Sequence, residues 1–444
     1  MRILFITPQL PFPPHQGTQI RNYHLLRAAA SAGHQVDLIS FLRPGESLHR
    51  AAPLQELCGQ IMVLPAPVRS HLERLQTTLT SAQPDIAFRL RSEGFAGIVR
   101  AVANGNRYDI IQLAGLEMAR YLPIARIAAP RAHLVFDDHN AEYRLQYRAA
   151  AVDARRSGSW PKALYSLVQY LKLRRYEAWA CQTADAVLAV SEADAEALRD
   201  LTPGIRLWVV PNGVDSEFYR PDSSIEPEPT GLLFTGTMDY RPNVDAMEWF
   251  VSAILPNITN QRSDVSLEIV GRSPTPSVLQ LAALGQKVTV TGAVEDIRPY
   301  FSRNSVFVVP IRMAGGARLK ILEAMAMGLP VVSTRLGAEG IDLVEDKEVL
   351  MANSPEEFAS DVLRLLEDGN LRRQMATLGR QAAEERFDWG KVAPRLLEAY
   401  QLDPLVLSEA QNDRRRGPCG TPPAQLPLAE GKAPRSQIDH RPGA

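Results

Sequence analysis

One stretch decides the fold: residues 305–334 read SVFVVPIRMAGGARLKILEAMAMGLPVVST. It opens with an unbroken apolar run at Val306–Val309, passes two glycines, and continues with apolar residues at helical spacing. Gly328 and Pro330 end this segment, and Val331 begins another apolar run. Short apolar runs on either side of a helix are typical of parallel strands that are covered on both faces. The stretch therefore predicts a strand, loop, helix and strand of an α/β fold.

The loop and the first turn of this helix contain the residues that could bind a ligand. Gly315 and Gly316 let the backbone approach a ligand closely, and the amides at a helix N-terminus favour an anion. Arg318 and Lys320 add positive charge, and Glu323 follows Lys320 by three residues on the same helix face. This layout fits a diphosphate on the amides and cations, with a sugar hydroxyl on the carboxylate. The alternative is an exposed ion pair between Lys320 and Glu323, which contributes only a few tenths of a kcal/mol.

The run ILEAMAMGLPVVST, residues 321–334, resembles the signature of the retaining glycosyltransferases of family 4. The resemblance implies the α/β fold named GT-B: two Rossmann-like domains whose parallel sheets face across a cleft, with a C-terminal helix that crosses back to the first domain. In that family the glutamate of the EAMA segment, here Glu323, binds the ribose of a nucleotide-sugar donor. Gly315 stands where the family often has a second glutamate over the donor sugar, which is a departure from the pattern.

Size, charge and cysteine content narrow the class of protein. A chain of 444 residues with 45% apolar residues exceeds what one core usually supports, so we expect two domains. The net charge of −1 gives no overall attraction to nucleic acid. Cys58, Cys181 and Cys419 are too far apart to suggest a disulfide framework or a metal site, and they fit a reducing compartment.

No targeting or membrane-spanning segment is predicted. The start, MRILFITP, is too short for a signal-peptide core. No run approaches the ~20 apolar residues that a membrane span needs. We therefore expect a cytoplasmic protein, either free or peripheral at the inner face of the membrane.

Each half of the chain begins with the same pattern: an apolar strand, a loop with a glycine, and a helix. The strands are predicted at Arg2–Thr7 and Gly231–Thr235. Neither is followed by GxGxxG, so no dinucleotide cofactor is predicted. The expected organisation is a first, acceptor-side Rossmann-like domain at 1–215, a polar linker at 216–230, a nucleotide-sugar-binding domain at 231–385, the crossover helix at 386–402, and a disordered tail at 403–444.

Two positions of the first half match the family. In the family, the first glycine-bearing loop lies against the donor phosphates and the acceptor. Gly17, followed by Thr18, is the matching position in this chain. The alternative is that Gly17 is an ordinary turn glycine. The family often has a histidine that contacts the donor sugar, and His139 is the match. A histidine just past the carboxyl end of a strand lies where open α/β sheets bind ligands.

Acidic residues beside His139 leave other interpretations open. Asp137, Asp138 and Glu142 would suit a metal or an acid/base pair, but a single cluster is a weak signal and no metal site is predicted. Asp138 or Asn140 would equally serve to cap the next helix.

The candidate binding residues of the second half lie in or next to the loops that follow its strands. The family usually supplies an arginine and a lysine in and after the loop that begins at Gly236. Thr237 stands at the arginine position, so Arg241, the nearby cation, is assigned to the phosphates. Arg272 and Val294 are assigned to the nucleobase region by position alone. A helix at 244–254 with Asn243 as its cap is predicted after this loop.

A segment with many basic and aromatic residues covers 155–179, and much of 161–180 has helical spacing. A basic helix with aromatic residues can lie on an anionic bilayer. The alternative is a helix that covers a core and keeps its charges in water. Peripheral membrane contact through 155–179 stays open at this point.

The sequence as a whole predicts a sugar transferase. It would move a sugar from a nucleotide-diphosphate sugar to a hydroxyl of a glycan or lipid-linked acceptor, in cell-surface polysaccharide synthesis, without a metal or a bound cofactor. The rivals are a sugar-nucleotide epimerase of the same fold and a nucleotide-binding protein without turnover. The residues expected at the reacting centre are His139, Arg241 and Lys320. The expected donor-binding set is Gly17, Thr18, Gly236, Arg241, Arg272, Val294, Gly316, Arg318, Leu319, Lys320 and Glu323.

Overall fold

The structure, a computed structural model, describes residues 1–155, 160–284, 287–313 and 319–401. Two parallel sheets are built from these residues, one of seven strands and one of six. The strands are β1 Arg2–Thr7, β2 Gln35–Leu42, β3 Gln60–Pro65, β4 Ile110–Ala114, β5 His133–Asp138, β6 Ala186–Ala189, β7 Leu207–Val209, β8 Gly231–Thr235, β9 Ser266–Val270, β10 Val288–Gly292, β11 Val306–Val309, β12 Val331–Ser333 and β13 Leu350–Met351.

Helices connect the strands of each sheet. In the first half they are α1 Gly17–Ser31, α2 Ala52–Leu57, α3 His71–Thr80, α4 Ile86–Arg89, α5 Glu93–Gly105, α6 Leu122–Ala128, α7 Glu142–Arg155, α8 Trp160–Thr183 and α9 Glu192–Leu201. In the second half they are α10 Arg241–Trp249, α11 Leu255–Thr259, α12 Pro276–Leu284, α13 Arg298–Arg303, α14 Leu319–Ala326, α15 Pro355–Glu367, α16 Gly369–Ala382 and α17 Trp389–Tyr400.

Both sheets have a reversal of strand order at an equivalent place. The first runs β3-β2-β1-β4-β5-β6-β7 and the second β10-β9-β8-β11-β12-β13. The order reverses between β1 and β4 in the first sheet and between β8 and β11 in the second. Open α/β sheets bind ligands outside the carboxyl ends of the strands at such a point. The topology therefore predicts a ligand site at the loops after β1, β4, β8 and β11.

Each sheet has its own hydrophobic core, and we call the two halves the first and the second lobe. The first core contains residues from Leu4 to Leu198, and the second contains residues from Val214 to Phe387. The chain crosses between the lobes twice, and the crossings lie side by side because Val214 pairs with Asp388 as an isolated parallel bridge. The predicted α/β fold with two parallel sheets is thus confirmed.

Helix α17 returns to the first lobe, as predicted, and packs on α1. The Trp389 ring stacks on the His24 ring of α1 with centroids 4.7 Å apart. At the other end of α17, the Tyr400 hydroxyl donates to Gln112 Oε1 of β4. The helix therefore fastens the end of the second lobe to the core of the first.

Several local predictions need correction. Asn243 does not cap a helix, because α10 begins at Arg241 and its N-cap is Tyr240. Helix α3 was not predicted at all. The predicted tail at 403–444 lies outside the described residues. Among the described helices, none has the length and apolar character needed to cross a bilayer.

Candidate functional site

Lys320 lies at the reversal point of the second sheet, where two of its loops meet. Its ammonium donates to Asn243 Oδ1 at 3.0 Å and lies 4.1 Å from the centre of the Phe234 ring. Gly236 makes this approach possible: its φ is +154°, and a Cβ there would lie only 2.9 Å from Lys320 Nζ. The structure thus brings together two of the predicted donor-binding residues, Gly236 and Lys320, with Asn243 as an unpredicted partner.

Glu323 lies one turn further along α14 and is half-buried. The Tyr219 hydroxyl donates to its Oε1 at 3.1 Å. Burial raises the pKa of Glu323, while the Tyr219 hydrogen bond and the nearby Lys320 charge act in the opposite direction. Its carboxylate is therefore held in place by a residue from the segment that joins the lobes, which the sequence analysis did not identify.

The remaining predicted positions of the second lobe lie on loops at the carboxyl ends of the strands. Arg241 is the first residue of α10 and is exposed. Arg272, also exposed, follows β9, and its carbonyl accepts a hydrogen bond from the amide of Met238 at 2.9 Å. Val294 follows β10 and packs partly buried on the second core. The loop residues Gly315, Gly316 and Arg318 lie outside the described residues.

The N-terminal ends of α1 and α14 face each other across the two lobes. A Cβ placed on Gly17 would lie 3.5 Å from Leu319 Cδ1. Gly17 is exposed, and Thr18 beside it is half-buried. The first turn of α1 contains no acidic residue and its N-cap, Gln16, makes no side-chain cap. A ligand between the lobes at this place would meet the positive ends of two helices.

His139 lies just after β5, beside the buried ion pair of Arg21 and Asp137. Its Nε2 lies 3.5 Å from Asp137 Oδ2, and Asp137 also binds the guanidinium of Arg21 at 2.6 Å. Burial alone would raise the pKa of Asp137, but the charges of Arg21 and His139 outweigh it and lower the pKa to about 2. Arg21 also donates to the carbonyl of Val210 at 2.8 Å. The sequence predicted His139 but gave no local signal for Arg21, which is 116 residues away from Asp137.

The acidic residues after His139 have a structural role. Glu177 of α8 accepts hydrogen bonds from the amides of Glu142 and Tyr143 at 2.8 and 2.9 Å, so it caps α7. Asp138 is instead the last residue of β5, and the Asn140 side-chain amide donates to Glu142 Oε1. Burial raises the pKa of Glu177 to about 8 and that of Glu142 to about 7.

Asp138 completes this buried group, and its pKa lies well above the ordinary value because of burial and the neighbouring Glu177. Among the described residues, no group of three or more His, Cys, Asp or Glu side chains is arranged to hold a metal ion.

A second contact between the lobes is an ion pair that the sequence did not reveal. Both guanidinium nitrogens at the end of Arg148, on α7, donate to the carboxylate of Glu339 in the second lobe. Next to it, a Cβ on Gly340 would lie 3.3 Å from Ser191 Cβ. The loop at 339–340 therefore rests on the start of α9 and on α7.

Arg312 is a further cation that the sequence analysis missed. It lies three residues after β11, and its guanidinium makes two hydrogen bonds to Asp245, at 3.0 and 3.2 Å. It also lies 4.6 Å from the centre of the Trp249 ring. Both partners are on α10, so Arg312 attaches the beginning of the loop that leads to α14.

Comparisons with known proteins agree with this arrangement. The sequence model of a family described as "Glycosyltransferase Family 4" matches residues 15–218, and one described as "Glycosyl transferases group 1" matches residues 229–368. Together these matches cover most of both lobes.

Two curated relatives match over nearly their whole length. One is an uncharacterized 44.6 kDa protein in the cps region of Klebsiella pneumoniae, 21% identical over 88% of this chain and 97% of its own. The other is the MMP α-(1→4)-mannosyltransferase of Mycolicibacterium hassiacum, 25% identical over 87% of this chain and 94% of its own.

Solved structures share the fold. Sucrose-phosphate synthase from Thermosynechococcus elongatus aligns with a TM-score of 0.65 at 19% identity, covering 94% of this chain and 99% of its own. The Anabaena HepE protein, solved in complex with UDP, aligns with a TM-score of 0.60 at 16% identity, covering 90% and 99%. The chain belongs to the glycosyltransferases of family 4 and is a glycosyltransferase with the GT-B fold.

Proposed function

We propose that this chain transfers a sugar from a nucleoside-diphosphate sugar to a hydroxyl of a glycan or lipid-linked acceptor, with retention of anomeric configuration and without a metal. The observation that carries the proposal is the Lys320 ammonium, fixed by Asn243 at the reversal point of the second sheet and set against Gly236. A fixed cation at this edge is suited to a diphosphate, since the leaving group gains negative charge as the bond to the sugar breaks.

The proposed donor site uses both lobes. Lys320, Arg241 and the first turn of α14 would bind the diphosphate, and Glu323 would accept hydrogen bonds from the ribose. Gly17 lies against Leu319, so the start of α1 would approach the phosphates from the other side. His139, whose Nε2 lies 3.5 Å from Asp137, would contact the donor sugar. Arg272 and Val294 would lie beside the base.

The proposed roles of these residues follow from the places where charge develops during transfer. Positive charge grows at the anomeric carbon while the diphosphate departs, and fixed cations with helix amides stabilise the departing group in place of a divalent metal. The gap between the lobes would exclude water when closed, which favours transfer over hydrolysis. The ion pair between Arg148 and Glu339 joins the lobes and would contribute to that closed state.

The acceptor class and the location are also proposals. A relative of 21% identity is named for the cps region of Klebsiella pneumoniae, and another protein, 27% identical over 45% of this chain, is a GDP-mannose-dependent phosphatidylinositol monomannoside mannosyltransferase. These names support a role in cell-surface polysaccharide or glycolipid synthesis. We place the protein in the cytoplasm at the inner membrane face, with contact through residues 155–179.

Titration calorimetry with a panel of nucleotide sugars measures which donor binds. Product formation with the same panel, with and without acceptors, tests transfer. Product that forms only with an acceptor supports the transferase, whereas a changed sugar nucleotide without an acceptor would indicate the epimerase. Binding without any turnover would indicate a nucleotide-binding protein. The anomeric configuration of the product, read by NMR, decides retention.

A further inference from the structure

Helix α3 presents its apolar face to solvent. Its leucines recur with the spacing i, i+3 and i+7 on one face, and they are 57% to 76% exposed: Leu72, Leu75 and Leu79. None of the residues of α3 is buried. An amphipathic helix normally packs its apolar stripe on a core. Single exposed leucines are ordinary, but an ordered row of three on a helix that covers nothing marks a binding surface.

A second exposed row lies on α8, next to α3. Leu164, Leu167 and Leu171 have the same i, i+3, i+7 spacing and are 43% to 54% exposed. The two helices are adjacent because Lys172 Nζ donates to the carbonyl of Thr78 at 2.5 Å. The two helices, each with an exposed row of leucines, therefore lie side by side on the first lobe. We call them together the α3–α8 surface.

The charge around this surface is positive. Residues 66–80 and 161–175 contain six Lys or Arg side chains and a single carboxylate, Glu73, in a chain whose net charge is −1. The buried Asp85 pairs with Arg69 at 3.0 Å and offsets part of this charge. The cations are Arg69, Arg74, Lys162, Lys172, Arg174 and Arg175.

The position of the surface follows from the lengths of the elements. Helix α8 has 24 residues and spans about 36 Å at about 1.5 Å per residue, and it ends just before the amino end of β6, a strand of about 13 Å. Its first half therefore extends past the carboxyl ends of the strands, the edge of the sheet that also carries Gly17 and His139. Helix α3 begins shortly after the carboxyl end of β3, on the same edge.

We propose that the α3–α8 surface docks on an anionic phospholipid bilayer, with the leucines inserted at the level of the head groups and the cations beside the phosphates. This inference rests on the proposed location at the membrane and deepens it, since it adds α3, which lies outside 155–179. A protein docked in this way holds this edge of the first lobe close to the lipid surface, where a lipid-linked acceptor presents its hydroxyl.

Flotation of the full chain with vesicles tests the docking. Vesicles of phosphatidylcholine alone are compared with vesicles containing about 30% phosphatidylglycerol. We expect binding to the anionic vesicles only, weakened by salt. The α3 variant, Leu72→Ser with Leu75→Ser and Leu79→Ser, should lower the vesicle partition coefficient at least about tenfold. A control carries Ile127→Ser, Leu279→Ser and Val344→Ser, three apolar residues that are 43% to 80% exposed elsewhere on the chain, and it should bind like the wild type.

Other occupants give different results, and each would overturn the proposal. If a second copy covers the surface, the α3 variant changes the oligomer size in size-exclusion chromatography and leaves vesicle binding intact. If the basic triplet of the tail is responsible, reversing the charges of residues 414–416 abolishes vesicle binding and the α3 variant does not. Equal loss in the control variant would also contradict it.

Nucleotide affinity, measured in parallel, separates this proposal from the proposed function. The α3 variant should keep its affinity for the nucleotide sugar within about twofold, since α3 belongs to the first lobe and Lys320 and Glu323 belong to the second. Vesicle binding without any nucleotide binding would refute the proposed function and leave the docking surface standing.

Discussion

Replacing Lys320 with methionine removes the ammonium and keeps the length of the side chain. The ammonium is fixed by a 3.0 Å hydrogen bond to Asn243 and by the face of the Phe234 ring, so it is already oriented for a bound phosphate. A unit charge at about 4 Å contributes about 4 kcal/mol at an effective dielectric constant of about 20. A hydrogen bond to a charged group contributes about 1.5–3 kcal/mol net.

We therefore expect Lys320→Met to weaken binding of the nucleoside diphosphate by about 3 kcal/mol, which is about 100-fold in affinity. If the charge also stabilises the leaving group, kcat should fall as well, by about 100-fold or more. Calorimetry gives the first value and steady-state transfer gives the second. A thermal melt checks the fold, because the lost contacts with Asn243 should cost only about 1 kcal/mol of stability.

Lys287→Met is the matched control. Lys287 is exposed and precedes β10 at the amino ends of the strands, on the edge opposite to the proposed site. It should bind and turn over like the wild type. A Lys320→Met protein that folds normally and keeps its nucleotide affinity within about threefold would refute the assignment of the phosphate site.

Three further predictions follow from the geometry. Gly236→Ala places a Cβ 2.9 Å from Lys320 Nζ, so nucleotide affinity, measured by calorimetry, should fall about tenfold. The control is Gly97→Ala, which has open space around the added Cβ and should leave nucleotide affinity unchanged. The pKa of Glu177 is raised from 4.5 to about 8 in the folded state. Between these values the folded state keeps a proton that the unfolded chain releases. The free energy of unfolding should therefore fall as the pH rises from about 5 to 8. Glu177→Gln should flatten this dependence in denaturant titrations by about 2 kcal/mol, and an unchanged slope would contradict it. Arg148→Glu should lower kcat/KM about tenfold by placing two carboxylates together between the lobes, and the exchange with Glu339→Arg should restore most of it; no recovery would mean that the ion pair does not join the lobes during turnover.

The sequence predicted the parts of the fold that rest on local pattern. The strand at Val306–Val309 and the helix from Leu319 have the bounds expected from their apolar spacing. The two Rossmann-like domains followed from the family resemblance, whereas the strand order came from the structure. Its reversal point explains why Gly236 and Lys320, far apart in the chain, come together. Local spacing alone would not have paired them.

The missing parts rest on contacts between distant segments. Arg21 pairs with Asp137 over 116 residues, and the α7 cap is supplied by Glu177 from another helix. Asn243 looked like a helix cap because of its residue type, but in the structure it lies inside α10 and binds Lys320. Residue type and spacing carry no information on a partner that only the tertiary fold brings close.

Helix α3 was missed for a related reason. Its leucines have helical spacing over only ten residues, and the helix packs none of them in a core. Sequence reasoning looks for segments that a core requires, and α3 is not one of them.

A crystal structure of the chain with a bound nucleoside diphosphate tests the central claim most directly. We predict a phosphate oxygen within hydrogen-bonding distance of Lys320 Nζ and the ribose hydroxyls on the Glu323 carboxylate, between the starts of α1 and α14. A nucleotide bound elsewhere, with Lys320 and Glu323 keeping only their contacts with Asn243 and Tyr219, would contradict the account.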